Sequence, residues 1–264
     1  MDVPVAMTIA GSDNSAGAGI QADLKTFTHF RVHGLTAITC IVAEVPGLVR
    51  RIQAADVQVV RDQVELGLET YPVAAVKTGM LYSAEIISAV CDELERAEPA
   101  RRPPLVVDPV MVASSGDPLL QADAIAAYTE RLFPLAALVT PNLDEAAVLL
   151  GRATIGTDEL PAAAQALWER FRVPFLLKGG HLRGDTAIDI LFCGDQQETF
   201  RAPFVPNVST HGTGCTFSAA IAAQIAHGKS LPVAIAEAKR FVTAAIRHSL
   251  GWTLPKPTSA LNHF

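Results

Sequence analysis

Apolar and polar positions alternate along this chain with two different periods. Short, nearly continuous apolar runs occupy residues 3–10, 35–45, 73–76, 105–107, 136–140 and 175–178, with Val, Ile and Thr prominent. Runs of that length and composition predict strands buried on both faces. Between them, residues 20–30, 56–70 (Val57, Val60, Val64, Leu68), 83–96, 121–132 and 160–171 carry apolar residues at helical spacing, as does a segment opened by Pro141-Asn142 and closed by Gly151. Residues 187–192 and 198–204, flanking Gly194-Asp195, predict a hairpin. Two more helices are predicted, an Ala- and Ile-rich one after Gly214 and a last one over 233–250. Repeated strand–helix alternation with fully buried strands predicts an α/β fold, a mostly parallel sheet with helices on both faces. Residues 1–264 contain no linker, low-complexity tract or internal repeat, so a single domain is predicted.

Composition narrows the class. A chain of 264 residues that is 50% hydrophobic and 18% charged can bury a sizeable core and is not a disordered chain. Its net charge of −6 argues against nucleic acid or an anionic membrane as partner, though not against a nucleotide, which needs only local donors. No apolar stretch approaches the roughly 18 residues of a membrane span, and Asp2 and Pro4 do not open a secretory leader. Cys40, Cys91, Cys193 and Cys215 are scattered without a C-x-x-C pair, which predicts reduced thiols and a cytoplasmic setting.

The polar residues that carry chemistry collect at predicted strand ends: Gly11-Ser12-Asp13, Glu44, Lys77, Asp108, Asn142 with Glu145, and Lys178. In open α/β sheets ligands bind outside the carboxyl ends of the strands, so these groups can share one crevice. Thr210-His211-Gly212-Thr213-Gly214-Cys215 then leads directly into an apolar helix. Glycines let successive backbone N–H groups converge, and the helix start adds unpaired donors and the positive end of its dipole, which together suit a phosphate. Cys215 falls in the first turn, where a thiol is expected to ionise below its usual value of about 8.5. A proton acceptor beside an anion cradle is the layout of a phosphotransferase. A glycine helix cap followed by an inert cysteine is the alternative.

Other signals divide in the same way. Asp108 at a strand exit suits a hydrated magnesium ion or a substrate hydroxyl. Asn142 and Glu145, one turn apart, offer a second acidic site or simply cap a helix. Lys178 before Gly179-Gly180 either points at phosphates or is solvated. His29 and His33 have the i,i+4 spacing of two metal ligands, but Gly34 follows and a helix C-terminus explains them better. Gly17-Ala18-Gly19-Ile20-Gln21-Ala22 matches a dinucleotide fingerprint, yet Gly17 lies seven residues past the predicted strand end at Ala10. There is no G-x-x-x-x-G-K-[ST] sequence, which excludes the P-loop class.

Taken in order, Gly11-Ser12-Asp13, the run from Ala18 to Thr26, Lys77-Thr78-Gly79-Met80, Asp108-Pro109-Val110-Met111, Thr140-Pro141-Asn142, Lys178-Gly179-Gly180-His181 and Thr210 to Cys215 strongly resemble the hydroxymethylpyrimidine/phosphomethylpyrimidine kinases of thiamine biosynthesis, in the ribokinase superfamily. The resemblance spans nearly the whole chain. It implies a ribokinase-like fold, transfer of the ATP γ-phosphate to the hydroxymethyl group of 4-amino-5-hydroxymethyl-2-methylpyrimidine, and a further phosphorylation of the resulting monophosphate on its phosphate. It also implies Mg2+ as cofactor, a homodimer, and a small-molecule substrate with neither nucleic acid nor membrane as partner. Cys215 would hold the general-base position that many sugar kinases fill with Asp. Gly212, Thr213 and Gly214 would form the anion hole and Lys178 would approach the transferred phosphate. Asn142 and Glu145 would organise magnesium, with Asp108, Thr210 and His211 on the nucleotide side. Gly11, Asp23, Glu44, Met80 and Val107 would make the ring pocket, and residues 187–206 with part of the last helix would cover adenine.

Two departures from that family stand out. Asn14-Ser15-Ala16-Gly17 replaces the usual Pro-Ser-Gly-Gly, and Glu44, followed by Val45-Pro46-Gly47, stands where the family has the Gln of an Ala-Gln-Asn-Thr run, the residue that pairs with the ring. A glutamine both accepts and donates, whereas an ionised carboxylate only accepts. Cys-type pyridoxal kinases share the scaffold and are the alternative activity. A vitamer-binding regulator without turnover is a second alternative, opposed by intact Cys215, Asn142, Glu145 and Lys178.

Overall fold

The computed structural model describes residues 3–111, 122–180, 185–206 and 211–264. Among the described residues, nine strands form one sheet: β1 (Val5–Asp13), β2 (His33–Val45), β3 (Leu48–Ala54), β4 (Val73–Thr78), β5 (Leu105–Val107), β6 (Leu138–Val139), β7 (Phe175–Gly179), β8 (Thr186–Cys193) and β9 (Gln196–Pro203). Their order is β3-β2-β1-β4-β5-β6-β7-β8-β9. Strands β2 to β7 in that order pair in parallel, while β3 at one edge and β8 and β9 at the other are antiparallel. The chain leaves β1 towards β2 on one side and returns to β4 on the other. The carboxyl ends therefore open a crevice where the winding reverses.

Side-chain alternation along each strand divides the interior in two. Met7, Ile9, Val76, Val107, Val139, Phe175 and Leu177 face the layer of α2 (Val57–Thr70), α3 (Ala84–Glu95), α4 (Ala122–Ala127), α5 (Leu143–Leu150) and α6 (Leu160–Phe171). Ala6, Ala75, Val106, Leu138 and Leu176 face α1 (Gly19–His29), α7 (Thr213–Ala226) and α8 (Leu231–Arg247). Each large apolar side chain so buried contributes about 1.5–3 kcal/mol relative to exposure. Helix α7 is apolar all round, with Thr216 to Gln224 continuously buried. This is what a helix clamped between a sheet and a second helix requires.

Helix starts follow the capping residues. Asp56 accepts from the N–H groups of Gln58 and Val59, and Ser83 from that of Ile86. Gly151 closes α5 in the left-handed conformation at φ 67°. Several boundaries differ from the sequence expectation. The run at 35–45 continues through a turn at Gly47 (φ 80°) into β3, whose alternation of Arg and Gln with Val and Ile masked an exposed edge strand. Strand β1 runs on to Asp13 past a bulge between Ala10 and Ser12. Gly17 is thus closer to the strand end than the sequence implied, although it still does not make the turn off the strand. Of the helix expected over 121–132, the described part runs from Ala122 to Ala127 and passes into a π turn over Tyr128–Leu132, and residue 121 lies outside the described residues. The final helix ends at Arg247, and a small hairpin of β10 (Leu250–Trp252) and β11 (Thr258–Ala260) follows.

Candidate active site

A cavity of about 490 Å³ lies at the carboxyl ends of the strands. Gly11, Val42, Glu44 and Met80 line it from the β1, β2 and β4 side; Asp108, Asn142, Glu145 and Lys178 line it from β5, β6 and β7. Ala187, Phe204, Val242 and Ile246 extend it along the β8–β9 hairpin and α8, where the resemblance put adenine. Residues Gly212 to Cys215 are part of the same wall. Gly11, Asp13, Glu44, Asp108, Asn142, Glu145 and Lys178, far apart in sequence, thus share this cavity, whereas Ser12 and Lys77, expected in the same crevice, do not line it. Thr210 and His181 lie outside the described residues.

The start of α7 has the form of an anion cradle. Gly212, at φ 78°, packs so closely on the β1–α1 loop that a Cβ there would sit 1.7 Å from the carbonyl oxygen of Gly17. Only glycine tolerates both the angle and the contact. A Cβ on Gly214 would lie 3.2 Å from Lys178 Nζ and 3.5 Å from Asp108 Oδ2, so its absence leaves the backbone open towards those charges. The buried Thr213 hydroxyl at the helix start has no hydrogen-bond partner.

Cys215 overturns one expectation. Burial pushes its thiol up to about 11; the Lys77 ammonium and the Gly19 N–H act in the opposite direction, while Asp108 and Asp23 reinforce the burial. The helix start favours a thiolate, but desolvation outweighs it. Lys77 is itself wholly buried and is held by both carboxylate oxygens of Asp23, at 2.8 and 3.0 Å. The Thr8 hydroxyl also donates to Asp23 Oδ2, at 2.6 Å. Asp23 is thus the counter-ion of a buried lysine, and keeps that ammonium protonated against the cost of burial. Neither Asp23 nor Val107 stands on the cavity wall, although the resemblance assigned both to the ring pocket: the Val107 side chain is in the hydrophobic core.

Asp108 is nearly inaccessible and receives Lys178 Nζ at 2.9 Å, with the hydroxyls of Thr140 and Ser218 at 3.4 and 3.3 Å. Ser218, one turn after Gly214, drew no attention in sequence because it reads as another small residue of an apolar helix. Asn142 and Glu145 form a capping box. Asn142 Oδ1 accepts from the N–H of Glu145 at 2.9 Å, and Glu145 Oε2 accepts from the N–H of Asn142 at 2.8 Å. The Asn142 oxygen is thus committed to the helix, and the capping alternative is realised. Burial pushes the Glu145 carboxyl up to about 8; Lys178 opposes this and Asp108 adds to it. Among the described residues no group of three or more His, Cys, Asp or Glu forms a metal cage. His29 and His33 do not share a site: His29 packs on Phe30 and Phe241, and His33 stacks on Tyr71.

The other end of the cavity is organised by the β1–α1 loop. Asp13 accepts from the N–H groups of Ser15, Gly17 and Ala18, and lies 3.2 Å from His211 Nε2. Burial opposes its ionisation, but these hydrogen bonds, led by His211, hold it down at about 2. Glu44 is half-buried beside them; burial and the Asp13 charge raise its pKa, and His211 lowers it. Asp13 was visible in sequence only as a polar residue at a strand end. His211, assigned there to the nucleotide side, is engaged with this loop.

A glycine-opened helix start, a lysine and a buried cysteine on one strand-end cavity are parts that suit a small-molecule kinase. The profile of the phosphomethylpyrimidine kinase family matches residues 13–255, and the chain belongs to that family. It is 43% identical to the hydroxymethylpyrimidine/phosphomethylpyrimidine kinase of Rhizobium meliloti (strain 1021) over 261 residues, covering 98% of this chain and 97% of that one. Among solved structures, a phosphomethylpyrimidine kinase from Clostridium difficile 630 superposes with a TM-score of 0.79 at 35% identity, covering 92% of this chain and 99% of its own. A pyridoxal kinase from Staphylococcus aureus in complex with AMP-PCP and pyridoxal superposes with a TM-score of 0.87 at 33% identity, covering 100% and 94%. The fold is ribokinase-like and the protein is a kinase.

Proposed function

We propose that this enzyme transfers the γ-phosphate of ATP to the hydroxymethyl group of 4-amino-5-hydroxymethyl-2-methylpyrimidine, and then phosphorylates that monophosphate, in thiamine biosynthesis. The observation that carries the reading is the single cavity joining Glu44, Met80 and Gly11 to Cys215, and Cys215 in turn to Lys178, Asp108 and the start of α7. Glu44 orients the ring. Cys215 receives the hydroxymethyl proton, with the fixed positive charge of Lys77 favouring the thiolate. Lys178 and the backbone donors of Gly212 to Cys215 hold phosphate oxygens, as the cradle that a Cβ would fill and the unpartnered Thr213 hydroxyl suggest.

The donor set fits magnesium in one form. Asp108 and Glu145 are two buried carboxylates that share one ammonium, that of Lys178, which suits an ion that arrives with phosphates rather than one held in a protein cage. Magnesium supplies charge neutralisation between phosphates when bound. Asn142 then serves by fixing Glu145. Ile41, Val45 and Leu48 are exposed on the edge hairpin β2–β3, which a second copy would cover, in keeping with a homodimer. A cytoplasmic location accords with the scattered free cysteines and with the absence, among the described residues, of a helix long and apolar enough to cross a membrane.

The test is ATP consumption by purified protein with and without magnesium against hydroxymethylpyrimidine, its phosphate and pyridoxal. Turnover of the pyrimidines sustains the reading. The likeness to a pyridoxal kinase, together with the carboxylate at position 44, favours a second reading, and turnover of pyridoxal alone would establish it instead.

A further inference from the structure

Strand β2 outruns its neighbour. Its pairing with β1 ends where Asp13 stands opposite Val42, yet β2 continues to Val45 and turns at Gly47 into β3. Beyond Val42 the β2–β3 hairpin therefore projects past the body of the sheet, and its own ladder shifts register between Ala43 and Glu44. A ribbon of two strands is marginal in water, so such a tip needs an anchor if its side chains are to keep a fixed place. Glu44, Val45, Leu48 and Val49 on this tip form the cavity wall at the ring end.

The anchor is a side chain. Asn14, the first residue after β1, accepts the backbone N–H of Glu44 on Oδ1 at 2.7 Å. It supplies the acceptor that a longer β1 would have supplied from its main chain. The loop that carries it is itself fixed. The Asp13 carboxylate accepts from Ser15 Oγ at 2.9 Å and from the N–H groups of Ser15, Gly17 and Ala18 at 2.6, 3.1 and 2.8 Å. The Asp13 carbonyl accepts from the N–H of Ala16 at 3.0 Å. Asn14 is exposed and does not line the cavity, so its influence passes through the main chain of Glu44. Each partner of this bond stands at a departure from the family pattern: Asn14 replaces a proline, which has no side-chain acceptor, and Glu44 replaces a glutamine.

We propose that Asn14 is a positioning residue for ring recognition: it ties the overhanging hairpin to the β1–α1 loop and thereby fixes where Glu44 meets the substrate ring. The identity of the ring rests on the pyrimidine kinase reading; the tether rests on the hydrogen bond. A carboxylate oxygen binds a ring amine well only near 2.7–3.2 Å and close to linear, so a small drift of the hairpin weakens the contact steeply. Loss of the tether therefore shows in the KM of the molecule that Glu44 touches. The opposite end of the cavity, built by α7, α8 and the β8–β9 hairpin, does not depend on it.

The experiment is a double-mutant cycle over Asn14→Ala and Glu44→Ala, read by kinetics on hydroxymethylpyrimidine and by amide hydrogen exchange at Glu44 in the unliganded enzyme. Asn14→Ala should raise the KM for the pyrimidine about fivefold, the effect of one lost hydrogen bond, with kcat and the KM for ATP within about twofold of wild type. In the Glu44→Ala background the same substitution should change the pyrimidine KM by less than about twofold, since the group being positioned is gone. Equal KM effects in both backgrounds, or a loss confined to kcat or to ATP, would overturn the proposal. Exchange of the Glu44 amide should quicken about tenfold in Asn14→Ala and stay near wild type in Asn14→Asp, which keeps the acceptor. An unmoved exchange rate in Asn14→Ala overturns the tether whatever the substrate. Turnover of pyridoxal alone would defeat the pyrimidine reading, and the same cycle is then decided on the KM for pyridoxal.

Discussion

Cys215 gives the sharpest test of the chemistry, because its environment opposes the role its position suggests. An ordinary thiol titrating at 9.0 is about one-tenth ionised at pH 8, whereas one pushed up to about 11 is only about one-thousandth ionised. The hundredfold difference corresponds to about 2.7 kcal/mol against the thiolate. Iodoacetamide reads this directly, since only the thiolate is alkylated. In a Cys193→Ser background, which removes the exposed cysteine while Cys40 and Cys91 remain buried, the Cys215 alkylation rate of the unliganded enzyme should climb about tenfold per pH unit. The rise should continue to at least about pH 10. A plateau with a midpoint below about 8.5 would refute the argument that desolvation outweighs Lys77 and the helix start. The companion measurement is turnover: Cys215→Ala should lower kcat by roughly 10²–10⁴-fold while ATP still binds. Undiminished kcat would reduce Cys215 to a packing residue.

Further outcomes follow from the same geometry. Lys77→Met strands the Asp23 carboxylate and should cost about 3–5 kcal/mol by denaturant unfolding, while Lys77→Met/Asp23→Leu should recover much of it; a mild single mutant would mean the pair is not a charged one. Asn142→Ala should cost about 1 kcal/mol through the lost cap, and a midpoint unchanged in thermal unfolding would contradict the capping box. For Asp13, whose folded pKa is depressed from 3.8 to about 2, the stabilisation is present above pH 3.8 and lost as pH falls through 2. The stability gap between wild type and Asp13→Asn, about 2 kcal/mol near neutrality, should therefore close between pH 4 and 2, and a constant gap would disprove the linkage. Ala16 sits at φ 58°, where the resembling family has glycine, so Ala16→Gly should leave the melting temperature level or raise it slightly; a clear fall would show that the angle is unstrained.

What the sequence by itself determined was the part governed by local rules. Nearly continuous apolar runs and period-3.6 stripes gave the buried strands and their covering helices. Gly212 marked a close-packed helix start and Gly151 a helix end, because backbone angle and close approach are properties of the residue itself. What the tertiary structure decided was the environment of each polar group. Asp23 looks like any acidic residue on a helix until β4 brings Lys77 to it and turns it into a buried counter-ion. Asn142 and Glu145 allow a metal site or, more readily, a cap by spacing, and only the fold shows both side chains bonded to the backbone. The ionisation of Cys215 could not be read locally at all, since it depends on how much water β4, β5 and the β1–α1 loop remove from the start of α7. Strand β3 escaped detection because an exposed edge has one dry face at most, and its polar residues resemble a loop. Desolvation and pairing across the chain are sums over neighbours that sequence order does not name, which is why the contact of His211 with Asp13, almost two hundred residues away, was not legible.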